Sequence, residues 1–399
     1  PHPDSVRVEE WVNAVDYGYP TTSKGPPLKA HIAGMSHPAR PDRQIVRVGL
    51  QGRVSDGARP PAHLTFLVDV SGSMSSPEKL GLAKEALHHL VRNLGIEDTV
   101  AIVTYAGGTR VVLEPTPLTR ASTIHRAIDD LTTRGGTAMG DGMQLAYDLA
   151  RQAYLPGCEN RVVVLSDGDA NIGPTSFEAI LAGIAEHAGR GITMTTVGFG
   201  HAGHNDHLME QLADKGDGAY FFVPDMREAR RVFGTHLTSN LQTLARDVKV
   251  QVEFDPDAVL SYRLLGYENR GIADEDFRDD TVDAGEVGVG HQVTALYEVE
   301  LAPRIAPSAA VLTVSIRHKE PGPDAPAEED TFLATYRDVT TADDDLHLAW
   351  AIAAMAENVA QRSARTRWDV IADHLTIDAD HPQHDDLRTM LEAARRLDR

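Results

Sequence analysis

With 399 residues, 42% of them hydrophobic and 24% charged, the chain is long enough for two or more domains around a sizeable core. Its formal net charge of −21, from 59 acidic against 38 basic residues, argues against a nucleic-acid footprint and against docking on anionic lipid. A single cysteine, Cys158, excludes an internal disulfide framework or a cysteine metal site, and no apolar run approaches the ~20 residues of a membrane helix.

Residues 1–27 are rich in Pro, Gly, Tyr and Thr around a predicted short helix at 6–13. The chain begins at Pro1 rather than a methionine, so the lack of a targeting segment says little about where the protein resides. Stretches 28–31 and 45–50 alternate like half-buried strands, with a turn at 38–42 between them. Two strands alone are marginal, so partners are expected elsewhere in the chain.

From residue 62 to about 240 strands alternate with helices, the pattern of a doubly wound, mostly parallel α/β sheet covered on both faces. Strands are predicted at 64–68, 99–105, 110–113, 161–165, 193–198 and 219–223. Helices are predicted at 77–94, 120–131, 140–154, 176–188, 206–215 and 226–241. After residue 245 the period changes to two: 248–254 and 293–301 alternate strictly and 310–317 more loosely, with turns at 269–271 and 283–285. An antiparallel β domain follows from this, with the strands near 28 and 45 as its missing partners and the α/β unit inserted between its two pieces. Residues 321–345 read as an acidic, proline-rich connector, and 346–360 and 387–397 as helices, with Trp350 and Trp368 packing on the rest of the chain. The predicted organisation is an N-terminal segment at 1–61, an α/β domain at 62–241, a β domain at 242–340 and a helical tail at 341–399.

The α/β unit is organised around Phe66-Leu67-Val68-Asp69-Val70-Ser71-Gly72-Ser73. An unbroken apolar run ending in an acid and two alternate hydroxyls is a doubly buried strand that carries its polar tip to the sheet edge where open α/β folds bind ligands. Asp69, Ser71 and Ser73 are hard oxygen donors suited to Mg²⁺, Mn²⁺ or Ca²⁺. Two other loops can reach the same edge: Arg134-Gly135-Gly136-Thr137, which brings a third hydroxyl, and the end of the strand Val162-Val163-Val164-Leu165-Ser166-Asp167-Gly168, which brings a second carboxylate.

Asp69-x-Ser71-x-Ser73 with Gly-Gly-Thr137 and Asp167-Gly168 resembles the metal-ion-dependent adhesion site of von Willebrand factor type A domains, over residues 62–240. The runs 6–10, 165–173 and 262–270 resemble a bacterial subfamily in which that domain lies between an N-terminal segment and a C-terminal domain of poorly known function. The resemblance implies Ser71, Ser73 and Thr137 as direct or near-direct ligands of Mg²⁺, with Asp69 and Asp167 acting directly or through water. It also implies a protein partner that presents a Glu or Asp to the ion, and an extracytoplasmic setting, secreted or cell-surface anchored. Two other readings stay open: a scaffold whose metal only braces the loop edge, and a metal-assisted hydrolase. No nucleophile elbow, phosphate loop or His-Glu-x-x-His pair supports an enzyme.

Three further signals are weaker. His201-x-x-His204-x-x-His207 has metal-ligand spacing in a polar loop, and Asp167-x-Asp169-x-Asn171 with Glu178 imitates a calcium loop but has Ile172 where glycine is required. Cys158 reads as a spare thiol, and Asp141 as a helix N-terminal acid or a support to the site.

Overall fold

The structure, a computed structural model, describes residues 6–57, 59–136, 138–168, 177–200, 206–235, 237–267, 273–280, 282, 284–321, 325–361, 365–375 and 383–398. A short helix, α1 (Val8–Asn13), precedes the hairpin of β1 (Leu28–Ser36) and β2 (Gln44–Gly52). The α/β unit then runs β3 (Ala62–Asp69), α2 (Leu82–Asn93), β4 (Thr99–Tyr105), β5 (Thr109–Pro117), α3 (Ala121–Asp129), α4 (Met139–Gln152), β6 (Glu159–Ser166), α5 (Phe177–Ala188), β7 (Ile192–Phe199), α6 (Asp206–Lys215), β8 (Tyr220–Val223), α7 (Met226–Arg230) and α8 (Leu237–Leu241).

Its sheet has the order β5-β4-β3-β6-β7-β8, parallel except for the β4–β5 hairpin. β3 lies near the centre and alternates between two cores. Leu64, Phe66 and Val68 face the side covered by α2 and α3, whereas Leu67 faces α4, α5 and α6. Each large apolar side chain buried this way stabilises by about 1.5–3 kcal/mol, which explains why the strand has no polar break before Asp69. α2 turns its own stripe, Leu82, Ala83, Ala86, Leu87, Leu90 and Val91, onto the sheet at helical spacing.

The remaining strands are β9 (Thr243–Phe254), β10 (Val259–Leu264), β11 (Gly285–Gly288), β12 (Gln292–Leu301), β13 (Ala310–Lys319) and β14 (Ala327–Thr335). They form two antiparallel sheets, β1-β2-β12-β10 and β11-β9-β13-β14, which share one core built from Val46, Val48 and Val299 on one side and Val311, Val314 and Ile316 on the other. The early hairpin therefore does pair with a strand more than 200 residues later, β2 against β12, and the α/β unit is inserted in this sandwich. Three helices follow: α9 (Asp344–Val359), α10 (Trp368–His374) and α11 (His384–Leu397). α9 is buried almost throughout and shares a core with Val8, Val12 and Tyr17 of the N-terminal segment. Trp350 is buried, and Trp368 is half-buried with its indole N–H donating to Asp398 at 2.8 Å.

The structure adds β10 and α10, for which the sequence reading predicted no element, and differs from it in four further places. The stretch at 321–345 is not all connector, because β14 runs through it as an edge strand. Its acids hid the pattern: they face water or cations, with Arg278 donating to Glu329 at 2.9 Å and His318 Nε2 lying 3.0 Å from Asp330. The helix expected at 77–94 opens with a wide turn at Pro77–Gly81 before α2 begins. The helix expected at 226–241 is broken by a second wide turn at Arg231–Thr235, where a Cβ on Gly234 would come within 2.6 Å of His89 Nε2. Gly285, predicted in a turn, opens β11, while Asp283 and the turn at 269–271 lie outside the described residues.

Candidate functional site at the carboxyl ends of β4, β3 and β6

Parallel register places Asp69 beside Tyr105 at the ends of β3 and β4, and β6 ends next to them at Ser166. The chain leaves β3 for α2 on one face of the sheet and leaves β6 for α5 on the other, so a crevice opens between these two strand ends. Asp69 is fully buried there. Its Oδ1 accepts from the Ser71 N–H at 2.8 Å, and its Oδ2 accepts from Tyr105 Oη at 3.0 Å and Ser166 Oγ at 3.1 Å. Burial raises the Asp69 pKa, partly offset by the Ser71 and Tyr105 hydrogen bonds, and the charge of Asp167 adds to the rise. Two carboxylates thus share a poorly hydrated edge, which calls for positive charge.

Ser71 leads, in extended conformation, into a 3₁₀ turn at Gly72–Ser75 that carries Ser73 and is pinned by the fully buried Met74. Ser71 Oγ and Ser73 Oγ lie 2.9 Å apart. Asp167 also has a fully shielded side chain, and Lys79 from the wide turn before α2 donates to its Oδ2 at 2.8 Å. The ammonium therefore brings a positive charge to this edge. The donor set, two carboxylates and two hydroxyls with no sulfur or imidazole, fits a hard divalent cation.

Thr137 lies outside the described residues, but the loop leading to it is held at the same edge. The Arg134 N–H donates to the Val70 carbonyl at 2.6 Å, and the Gly107 N–H donates to the Gly135 carbonyl at 2.7 Å. Gly136 has φ +85°, and a Cβ there would come within 2.6 Å of the Gly107 Cα. The glycines before Thr137 thus let two backbones touch where a side chain would part them. Sequence reasoning missed Tyr105, Ser166 and Lys79 as parts of this site. Only the strand register and the placement of Ser166 just before Asp167 could have pointed to them.

Of the weaker signals, His201, His204, Asp169, Asn171 and Ile172 lie outside the described residues, and His207 and Glu178 are exposed. Cys158 is half-buried, and its thiol pKa is raised by burial and by Glu97, Asp98 and Glu159, the opposite of an activated nucleophile. Asp141 is exposed in the first turn of α4, where it favours the helix dipole.

Residues 63–235 match the von Willebrand factor type A domain, and residues 239–394 match the C-terminal region described for the uncharacterized protein YfbK. The uncharacterized protein YfbK of Escherichia coli K12 is 36% identical over 309 residues, which is 75% of this chain and 54% of that protein. An uncharacterized protein of Synechocystis is 27% identical over 195 residues, 48% of this chain and 44% of its own length. The chain thus spans about half the length of these curated relatives. A solved structure of a von Willebrand factor type A protein from Catenulispora acidiphila superimposes with a TM-score of 0.52 at 18% identity, over 94% of this chain and 91% of that one, which shows a shared fold. This chain is a von Willebrand factor type A domain protein of the bacterial kind that carries a YfbK-type C-terminal domain.

Proposed function

We propose that the chain is a metal-dependent protein-binding module. In this reading Ser71, Ser73 and Thr137 hold a divalent cation, Mg²⁺ first with Mn²⁺ or Ca²⁺ as alternatives, and Asp69 and Asp167 act on it directly or through water. A bound ion supplies the Lewis-acid pull that draws in a Glu or Asp carboxylate of a partner protein. The residues of the chain do the rest. Tyr105 and Ser166 hold the Asp69 carboxylate in place, and Asp69 in turn fixes the Ser71 backbone. The hydroxyl donors are neutral, so they leave a bound cation's charge available to an incoming carboxylate.

The observation that carries the reading is the meeting of Asp69, Ser71, Ser73 and Asp167 in one strand-end crevice with buried negative charge. Type A domains commonly serve protein–protein interaction and adhesion, which supports the same class of function. We also propose a secreted or surface-anchored setting on the strength of the subfamily resemblance. Among the described residues no helix is long and apolar enough to cross a membrane. No catalytic role is assigned.

Calorimetric titration of wild type and Asp69→Ala with Mg²⁺ and Mn²⁺ tests the proposal. Heat of binding is expected in the wild type and none in the variant; equal heats overturn it. A scaffold role, in which the ion only braces the edge, is separated by pull-down from native extract with and without chelator. Under that reading Asp69→Ala lowers the melting temperature while the captured proteins stay the same.

A further inference from the structure

Next to the crevice is a pocket of about 220 Å³ that the function proposed above does not use. Its wall includes Val70, the residue between Asp69 and Ser71, and Arg134, whose N–H bonds the Val70 carbonyl at 2.6 Å. The pocket therefore opens beside the candidate metal edge, on the side of β5 and α3. Arg110 from β5, Arg126 from α3 and Arg134 all line it, with the hydroxyls of Thr104, Thr123 and Thr132 between them and Asp130 as the single acid.

The charge here runs against the chain as a whole. A molecule with 59 acidic and 38 basic residues gathers three guanidinium groups against one carboxylate. Many arginines elsewhere are paired, as Arg47 is with Asp343, Arg59 with Asp98 and Arg263 with Glu298 and Glu357, and what sets this group apart is that three of them line one hollow. Arg110, Arg126 and Arg134 are exposed, and none of their side chains makes an ion pair or hydrogen bond among the described residues. Three unpaired forks around one hollow match planar carboxylates, which guanidinium groups bind in bidentate fashion. The volume is below the ~300–1,000 Å³ of small-molecule sites, so the pocket suits one acidic side chain rather than a free metabolite.

We propose that this arginine pocket is a second anchor for the partner, receiving an acidic side chain that neighbours in the partner's chain the carboxylate presented at the metal edge. The inference rests on the reading of that edge as a carboxylate-capture site and adds to it that the partner carries a pair of acids, not one. Such a pair also sets orientation. One carboxylate at a point charge leaves a ligand free to swivel, whereas a second on the arginines fixes its direction across the loop edge.

The test uses fluorescence anisotropy with a short labelled Gly/Ser peptide bearing two central glutamates and terminal lysines, against a matched peptide with glutamines. Wild type in Mg²⁺ is expected to bind the glutamate peptide and not the glutamine one. The Arg110→Gln/Arg126→Gln variant is expected to bind it about tenfold more weakly, with an unchanged melting temperature and an unchanged calorimetric affinity for Mg²⁺. The same affinity for the peptide in variant and wild type overturns the proposal. So does a wild type that binds inorganic phosphate at the arginines but not the peptide, or one that binds neither. If the wild type shows no Mg²⁺ heat, yet the arginine variant still loses peptide binding, the pocket stands and the metal reading falls. If Asp69→Ala loses Mg²⁺ but keeps weak, arginine-dependent peptide binding, both stand.

Discussion

The side chain of Asp167 is wholly shielded from water, while that of Lys79, 2.8 Å away, is 26% exposed. A buried carboxylate deprived of a cation partner is costly, on the order of 3 kcal/mol. Lys79→Met is therefore expected to lower the melting temperature by several degrees in the presence of a chelator, and saturating Mg²⁺ should return most of the loss. Thermal denaturation in EDTA and in Mg²⁺ decides it: a Lys79→Met protein that melts like wild type in EDTA would remove Lys79 as a neutraliser of the edge. At this scale the sequence was readable where residue type declares chemistry. Asp69, Ser71 and Ser73 share a short spacing that few other purposes require. Tyr105 and Lys79 were not readable, because a tyrosine closing a strand and a lysine ahead of a helix look like ordinary packing and surface residues. Their roles come from the register of β3 against β4 and from a wide turn that no local pattern announces.

Among the elements, the junction of the loop after β4 with the loop before α4 is the tightest near the site. Gly136→Ala would force a side chain onto the Gly107 backbone at a left-handed φ, at a cost of about 2–3 kcal/mol. The variant is expected to melt several degrees lower and to bind Mg²⁺ more weakly, since the loop leading to Thr137 would be pushed off the edge. Calorimetry paired with thermal melts checks both, and an unchanged Mg²⁺ affinity would show that this contact does not position the site. The parallel strands were legible as elements because burial on both faces leaves long apolar runs. β14 was not, since an edge strand can satisfy its outer face with acids and arginine partners instead of alternating apolar residues. The short α7 and α8 looked like one helix because a wide turn preserves apolar content while shifting its phase.

Over the whole molecule, the C-terminal helices close on the N-terminal segment and on the sheet of β1, β2, β12 and β10. His37, just after β1, packs edge-on against Trp350 of α9 with ring centroids 5.6 Å apart, and its Nδ1 accepts from the Ala39 N–H at 3.0 Å. Burial, with Arg40 and Arg263 nearby and Glu298 opposing them, pushes its pKa down to about 4. A base whose folded pKa is depressed adds stability that is full above its unfolded pKa, ~6.5, and is lost as pH falls toward 4. The melting temperature is thus expected to fall across that window, and His37→Asn, which keeps an acceptor for Ala39, should flatten part of the slope. An identical slope in the variant would assign the acid sensitivity elsewhere. The insertion of the α/β unit in the sandwich was legible because two early strands lacked partners. The docking of the tail was not, because the period of a helix shows which of its faces is apolar but not what covers that face.

The inserted unit is fastened to the sandwich at two points. One tether, residues 53–61, leads into the amino end of β3, and the other is the single residue Gln242 between α8 and β9, whose carbonyl accepts from the Val289 N–H at 3.0 Å. Arg161, near the start of β6, clamps the second tether by donating to the Asn240 carbonyl at 2.7 Å. Both tethers thus lie opposite the loop edge. Tension applied by a partner at that edge runs along the strand axes and divides between two mounts. A pull on the loop after β3 would run along the β3 backbone itself to the first tether, whereas one on the loop after β6 reaches that tether through the parallel β3–β6 hydrogen bonds, which it would load in shear.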